Sequence, residues 1–375
     1  MKVGILTHFH NSVNYGGVLQ AYALCEFLNK NGHDASQILY LPKMTLVSDS
    51  SLTIKDVCRK VVLRLNKKIY KKRNRGIKAR MEQLFIDFRN NVPHTEREYT
   101  KADIAETNDI FDVFITGSDQ VWNPFWHDSN YLLSFVKDNS AKLSYAASIG
   151  VGQLDKAQEK LYPRYLSTFK ALSVRESTAS DVLSPLLDKQ VQVCVDPTLL
   201  LTAEEWDNVA ARRKIKEKYV FLYLLGEDKK TRKLAEKFAE AKGIKLVTIP
   251  DLLGAYRHCD RRLKAEKIMD ATPSDFISLI KYADYIITDS FHACVFSLLY
   301  KKQFFAFQRD NKIKMESRIQ NLTQMFGCPE RFCTHDEVDI KQLMQMSQID
   351  YTNMINQFEK EKQKSVDYLN SNLSK

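Results

Sequence analysis

Short apolar segments alternate with helix-forming segments along almost the whole chain, and this alternation restricts the fold more than any other feature. The apolar segment 3–7 is followed by a helical segment, 18–29, with Leu19, Ala23 and Phe27 on one face. A second series of the same kind begins near residue 218. Strand–helix–strand units build parallel sheets, so we predict an α/β fold with two Rossmann-like domains facing each other across a cleft. Strands are predicted at 3–7, 37–40, 111–116, 142–147, 171–174, 192–195, 219–224, 245–249, 285–288 and 304–307.

The length of 375 residues is typical of two domains. We expect an N-terminal domain at 1–200 and a C-terminal domain at 201–345. The polar segment 346–375 is expected to form a helix that packs back on the first domain. An insertion at about 45–100 interrupts that domain, because its apolar residues recur at a spacing of four and so predict amphipathic helices.

The insertion carries the net charge of the chain. Of the 56 Lys and Arg residues, 11 fall in the segment 59–80, which has no Asp or Glu, so the remaining 45 nearly balance the 46 acidic residues. This basic segment has three interpretations. It is a solvated helix packed by its apolar stripe, a surface for anionic lipid or a charged polymer, or a nucleic-acid contact. A nucleic-acid enzyme would show its basic residues along a whole groove, which makes the third the weakest.

The composition restricts the compartment and the cofactor. The start of the chain lacks the apolar core of a secretory signal, and no stretch approaches the ~18 apolar residues that a membrane-spanning helix needs. We therefore expect a soluble, cytoplasmic protein, with peripheral contact at the inner membrane face left open. The seven cysteines are scattered without a C-x-x-C, so we expect neither a disulfide framework nor a metal site. Glycine-rich dinucleotide and P-loop motifs are missing as well.

The chemistry is expected at the carboxyl ends of the predicted strands, where open α/β sheets bind ligands. His292 follows one such strand and opens a helix, a position that suits an anion and an acid–base group. Arg175 ends another strand, and its planar guanidinium matches a carboxylate or phosphate; an ion pair with Glu176 is the alternative. Asp119 is either a base for a sugar hydroxyl or a helix cap.

The loop Asn14-Tyr15-Gly16-Gly17 precedes the first helix. Its two glycines would let the backbone approach a ligand closely, although glycines are also common where a chain enters a helix. We expect these four residues to contact substrate.

Several of these segments occur together in one family. The chain resembles the polysaccharide pyruvyl transferases in GILTHFHNSVNYGGVLQAYAL, FITGSDQVWNP, KLSYAASIG, LSVRES, VDPTLLL and ITDSFHACVFSLLYKKQFFAF, which run in order from residue 4 to 307, with ESRIQNL as a trailing match to 322. The resemblance implies a GT-B-like fold, phosphoenolpyruvate as donor and a glycan as acceptor, with the acceptor on the first domain and the donor on the second. No cofactor is implied.

The resemblance also implies residue roles. Arg175 and His292 match the family's donor-binding arginine and histidine, and Asp119 matches an acidic position at a strand end of the first domain. The neighbouring motif residues expected to bind substrate are Ser118, Ser290, Phe291 and Arg318. We expect His292 to contact the phosphate and deliver a proton, Arg175 to bind the carboxylate or phosphate, and Asp119 to take a proton from the attacking hydroxyl.

Two other functions stay open on the sequence alone. The same fold would suit a glycosyltransferase that uses a nucleotide sugar. A non-catalytic scaffold of glycan assembly, docked on a membrane by the basic segment, belongs to a different class.

Overall fold

The computed structural model describes residues 1–42, 75–126, 128–250, 257–309, 317–334 and 338–374. The first helix predicted in the insertion, and residues 59–74 of the basic segment, lie outside these ranges. The second predicted helix of the insertion is present as Arg75–Arg89.

The first half of the chain forms a parallel sheet. Its strands are β1 (Lys2–Leu6), β2 (Asp34–Gln37), β3 (Val113–Thr116) and β4 (Lys142–Ser144), in the order β2-β1-β3-β4. Isolated parallel bridges continue the sheet toward β5 (Ser173–Val174) and β6 (Gln192–Val193), which pair with each other. Its helices are α1 (Tyr15–Lys30), α2 (Arg75–Arg89), α3 (Lys156–Leu166), α4 (Ser177–Leu187) and α5 (Ala203–Asp207).

The second half forms a six-stranded parallel sheet in the order β12-β11-β10-β7-β8-β9. Its strands are β7 (Tyr219–Tyr223), β8 (Lys245–Thr248), β9 (Glu266–Lys267), β10 (Tyr285–Thr288), β11 (Gln303–Phe307) and β12 (Phe332–Cys333). The accompanying helices are α6 (Lys229–Lys242), α7 (His258–Arg262), α8 (Pro273–Lys281), α9 (Phe291–Leu299), α10 (Ser317–Met325), α11 (Ile340–Gln345) and α12 (Tyr351–Leu373). Short 3-10 turns lie at Ile104–Asp109, Pro124–Trp126, Ser129–Leu132, Asn139–Ala141, Pro197–Leu199 and Pro329–Arg331.

The predicted α/β class and the parallel sheets are confirmed. In the second half the strand order reverses between β7 and β10, and in the first half it reverses between β1 and β3. Such reversals leave a crevice at the carboxyl ends of the two central strands. The central strand β7 is buried along its whole length, as expected for a strand covered by helices on both faces.

Two predicted strands differ from the structure by three residues at an end, and the other predicted bounds differ by at most two. The second strand is Asp34–Gln37 rather than 37–40, because it pairs with β1 from Lys2↔Asp34 onward and begins on polar residues that an apolar pattern misses. The strand predicted at 142–147 ends at Ser144, since Ala146 adopts a left-handed φ of 46° that turns the chain.

Helix starts follow local sequence signals. Thr272 and Asp275 form a reciprocal capping box at the start of α8, and Pro273 occupies its first turn. Asn14 caps α1 by accepting a hydrogen bond from the Gly17 amide at 3.2 Å. These caps fix where each helix begins relative to the strand before it.

Helix α1 joins the two halves. Tyr15 stacks on Phe276 of α8 with ring centroids 5.0 Å apart, and its hydroxyl donates to the Ala271 carbonyl at 2.8 Å. One continuous cluster of buried apolar side chains contains residues of both sheets and of α1. The halves therefore share a core along this helix.

The C-terminal helix α12 lies against the first half. The Ser365 hydroxyl accepts from the Val195 amide at 2.9 Å, and the Tyr368 hydroxyl donates to the Ser144 carbonyl at 2.9 Å. In the part of the chain that the structure describes, no helix has the length and apolar character needed to cross a bilayer.

Candidate active site

Residues from both halves meet where the two sheets reverse their strand order. Ser118 and Asp119 follow β3, Arg175 follows β5, and His292 is the second residue of α9, directly after β10. Arg318, the second residue of α10, completes the group. The structure thus brings together five of the residues predicted from the strand ends and motifs.

Arg175 is the centre of the cluster. Its side chain is only 2% exposed, and its Nη1 lies 2.8 Å from Asp196 Oδ2. Its Nη2 lies 3.5 Å from Asp119 Oδ1, and its Nε lies 3.6 Å from Glu176 Oε2. Burial would lower the pKa of Arg175, but these three carboxylates outweigh burial and raise it. The guanidinium also lies 4.1 Å from the centre of the Phe291 ring, a cation–π contact.

Asp196 holds Arg175 and His292 together, and it is absent from the predicted site. Its Oδ2 lies 3.5 Å from His292 Nε2 and accepts from the Ser118 hydroxyl at 3.3 Å. Its Oδ1 accepts from the Thr198 amide and hydroxyl at 3.0 and 2.7 Å. Burial would raise the pKa of Asp196, but His292, Arg175 and these hydrogen bonds hold it far below its ordinary value. Asp196 is therefore a buried, ionised carboxylate.

Asp119 lies between two arginines. Its Oδ1 is 3.5 Å from Arg175 Nη2 and 3.6 Å from Arg318 Nη1. Burial would raise the pKa of Asp119, yet His292, Arg175 and Arg318 together lower it. Burial, reinforced by Arg175, lowers the pKa of Arg318 to about 10, so this guanidinium stays charged at neutral pH.

His292 is held by the start of α9. Ser290, another predicted residue, caps this helix by accepting from the Ala293 amide at 3.5 Å. The His292 side chain is 7% exposed and lies between Asp196 of the first half and the backbone of Gly16. A histidine of the second half is therefore in contact with two residues of the first half.

Ser118 is fixed by a buried network that starts from α1. Its backbone amide donates to Gln20 Oε1 at 3.1 Å, and Gln20 Nε2 donates to the Thr7 hydroxyl at 3.0 Å. Gln20 thereby ties the end of β1 to the end of β3. Neither Gln20 nor Asp196 is among the predicted residues. The sequence signal for Asp196 is its position directly after a strand, in VDPTLLL, but an aspartate before a proline also indicates an ordinary turn.

The four residues of the predicted loop 14–17 have different surroundings: two line a cavity and two make packing or capping contacts. Asn14 and Tyr15 line a cavity of about 420 Å³ that opens between this loop and the ends of β7 and β8. Gly16 instead packs against His292, and Gly17 receives the Asn14 cap. The opposite wall of the cavity is formed by Tyr223, Leu224, Leu225, Ile249, Pro250 and Arg257.

The arginine cluster itself is nearly closed. The space beside Arg175, Asp196, Phe291 and Arg318 has a volume of about 10 Å³. That is room for about one water molecule, so a larger anion requires side chains to move. Among the described residues, no three His, Cys, Asp or Glu side chains are grouped so that they could hold a metal ion.

Comparison with known proteins gives a family and a fold. A family model described as polysaccharide pyruvyl transferase matches residues 14–311, well over half of the chain. No curated protein matches the sequence significantly.

Solved structures share the architecture at low identity. A UDP-GlcNAc 2-epimerase from Methanocaldococcus jannaschii, in complex with UDP-GlcNAc and UDP, is 13% identical, with a TM-score of 0.52 over 99% of this chain and 100% of that chain. A UDP-GlcNAc 2-epimerase from Neisseria meningitidis is 12% identical, with a TM-score of 0.49 over 98% and 99%. A glycosyltransferase from Rickettsia africae is 14% identical, with a TM-score of 0.48 over 100% and 98%. The likeness is one of fold, the GT-B type.

Proposed function

We propose, from the premise that this chain belongs to the polysaccharide pyruvyl transferase family, that it transfers a pyruvyl group from phosphoenolpyruvate to hydroxyls of a glycan or glycan precursor. The product would be a ketal in a cell-surface polysaccharide. One observation carries the proposal. Arg175, Arg318 and His292 converge from both halves on one buried site at the strand ends.

The charges of the cluster suit the donor. Phosphoenolpyruvate carries a carboxylate and a phosphate, and each matches the planar donor face of a guanidinium. Arg175 and Arg318 share the carboxylate of Asp119, so a second anion could bind between them as that contact rearranges. The proposal needs neither a metal nor another cofactor, because the arginines can neutralise the phosphate.

The reaction needs one proton delivered and two removed. A proton adds to the methylene carbon of the donor while the first acceptor hydroxyl forms a bond to the adjacent carbon and loses its own proton. The second hydroxyl then forms the second carbon–oxygen bond and displaces phosphate, which leaves with the bridging oxygen. The proton of this hydroxyl leaves on the phosphate, and the proton of the first hydroxyl restores the group that protonated the methylene carbon. We assign proton delivery and phosphate contact to His292. Positioned acid–base groups typically contribute about 100- to 10,000-fold.

Asp119 is assigned to the acceptor hydroxyl, but as an orienting group rather than a strong base. Its lowered pKa keeps the carboxylate ionised and able to accept a hydrogen bond from the hydroxyl. The same low pKa makes it a weak proton acceptor. This refines the role of base expected from the sequence.

The cavity beside Asn14 and Tyr15 is the space for the acceptor. It has an aromatic and aliphatic wall from β7 and β8, which suits sugar ring faces, and polar side chains from the loop, which suit hydroxyls. Gly16, the next residue of the loop, touches His292, so the cavity adjoins the catalytic imidazole.

A calorimetric titration tests which donor the protein binds. The protein is titrated with phosphoenolpyruvate and with UDP-GlcNAc, in parallel with Arg175→Ala and His292→Ala. Arg97→Ala, at an exposed ion pair, and His33→Ala, beyond the far end of α1, are the matched controls. We expect saturable phosphoenolpyruvate binding that both site variants weaken and both controls retain. Binding of the nucleotide sugar alone would instead favour an enzyme that acts on nucleotide sugars, such as the alternative glycosyltransferase, and the absence of both would favour the scaffold.

The basic segment is proposed as a peripheral contact with anionic membrane, which would bring the enzyme to a lipid-linked acceptor. Neutralising Lys67, Lys68, Lys71 and Lys72 should then abolish binding to vesicles that contain phosphatidylserine. Equal binding of neutral and anionic vesicles would refute this part of the proposal.

A further inference from the structure

One close approach between the two halves at the active site is made by a residue without a side chain. Gly16 is the second residue of α1, and a Cβ placed on it would lie 2.0 Å from His292 Nδ1, 2.3 Å from Cγ and 2.6 Å from Cε1. Ordinary van der Waals contact begins near 3.4 Å. The imidazole therefore lies directly against the backbone of the first turn of α1.

We infer that Gly16 is a positioning residue for His292, resting on the role proposed for that histidine. The absent side chain leaves a space that the imidazole fills, so the backbone of the first half determines where a catalytic ring of the second half lies. Asp196 fixes the opposite edge of the ring, with its Oδ2 3.5 Å from Nε2. The ring is thus held between two elements of the first half.

Helix α1 cannot move aside to make room for a methyl group at position 16. The preceding residue, Tyr15, is fixed to the second half by its hydrogen bond to Ala271 and its stacking on Phe276. Asn14 caps the same turn. An added methyl group must therefore displace the imidazole rather than the helix, and shifts of about 1 Å in a catalytic group can cost about 100-fold in rate.

Gly17 offers a matched control within the same helical turn. A Cβ on Gly17 would meet the Ser12 hydroxyl at 3.3 Å, the Asn14 Cβ at 3.5 Å and the His8 carbonyl at 3.6 Å. These are near-ordinary contacts, and alanine is the better helix former. Gly16→Ala and Gly17→Ala are therefore the same chemical change, and the space around them differs chiefly by the His292 ring.

A double-mutant cycle on the full chain tests the inference. The variants are Gly16→Ala, Gly17→Ala, His292→Ala, and each glycine variant combined with His292→Ala. Melting temperature and phosphoenolpyruvate affinity are measured for each variant, and the Cε1–H proton resonance of His292 is measured for those that retain the histidine. We expect Gly16→Ala to lower the melting temperature by about 2–4 °C. In the His292→Ala background the same change should lower it by less than half as much, since the ring is no longer there.

The other readouts separate positioning from packing. Gly16→Ala should shift the His292 resonance and weaken phosphoenolpyruvate binding, as His292→Ala does. Gly16→Ala combined with His292→Ala should bind phosphoenolpyruvate no more weakly than His292→Ala alone. Gly17→Ala should keep the His292 resonance of the parent, because a Cβ at position 17 does not meet the imidazole. If Gly16→Ala fails to fold alone, recovery of folding in the His292→Ala background is the expected result.

Two outcomes would overturn the inference. Equal losses of melting temperature from Gly16→Ala in both backgrounds would show that His292 is not what the methyl group meets. An unchanged His292 resonance in folded Gly16→Ala would show that the glycine serves packing alone. A parent protein that binds no phosphoenolpyruvate would refute the proposed function instead, while melting temperature and resonance still decide the role of Gly16.

Discussion

Replacing Asp196 by asparagine removes one buried negative charge and leaves the shape of the side chain unchanged. In the parent, Oδ2 is 2.8 Å from Arg175 Nη1 and 3.5 Å from His292 Nε2, and Oδ1 accepts two hydrogen bonds from Thr198. The amide can keep its oxygen toward Thr198. Its NH₂ group then faces the Arg175 guanidinium and the Ser118 hydroxyl, which both donated to Oδ2, and the His292 imidazole.

The expected loss of stability follows from burial. Removing one partner of a buried ion pair typically costs 3–5 kcal/mol, because the other charge is left uncompensated. Arg175 retains Asp119 and Glu176, but at the longer distances of 3.5 and 3.6 Å. We therefore expect Asp196→Asn to lower the free energy of unfolding by about 3 kcal/mol, the lower end of that range. Asp207→Asn, at an exposed ion pair with Lys281, should cost at most about 1 kcal/mol.

Denaturant unfolding of both variants measures the difference, and its pH dependence gives a second check. The folded pKa of Asp196 is depressed, so its contribution is complete above the unfolded pKa of about 3.9 and is lost as the pH falls toward the folded value. The gap between parent and Asp196→Asn should narrow below about pH 4. A loss below about 1 kcal/mol at neutral pH would refute the reasoning.

Two further predictions concern the neighbours of this cluster. Arg318→Ala should weaken phosphoenolpyruvate binding by about 10-fold or more, since a charge-assisted hydrogen bond contributes roughly 1.5–3 kcal/mol, and an unchanged dissociation constant in calorimetry would remove Arg318 from the donor site. Tyr15→Phe removes the hydrogen bond to Ala271 but keeps the stacking on Phe276, so it should lower the free energy of unfolding by about 1 kcal/mol with little effect on donor affinity. A strong loss of affinity with normal stability would instead place the Tyr15 hydroxyl in the binding site.

The order of strands and helices could be predicted because it depends on local patterns. Tyr285–Thr288 was found at its predicted bounds, and β7 and β11 within one residue of theirs, since each is an apolar run that ends at polar or small residues. The position of a residue after a strand also predicted that Arg175 and Asp119 lie at the carboxyl ends of the first-half strands and His292 at the carboxyl edge of the second sheet, because parallel strands present their carboxyl ends together.

Contacts between distant segments could not be predicted in the same way. Asp196 precedes a proline and caps a short turn, so its sequence context indicates local structure and hides its contact with His292. The glycine pair likewise resembles an ordinary helix entry, and only the approach of the second half reveals that Gly16 leaves room for an imidazole. Hydrophobic periodicity predicts one helix or strand at a time, whereas the roles of Asp196 and Gly16 depend on contacts between segments that are distant in sequence.

The return of α12 to the first half has a consequence for biosynthesis. The Val195 amide, near the end of the first sheet, donates its hydrogen bond to the hydroxyl of Ser365, which is synthesised 170 residues later. At a synthesis rate of about 5–20 residues per second, roughly 10–30 s pass between the two. During that interval the nascent first half lacks one of its covering helices. The backbone groups of Val195 and Ser144 that α12 pairs in the finished protein are without these partners during that time.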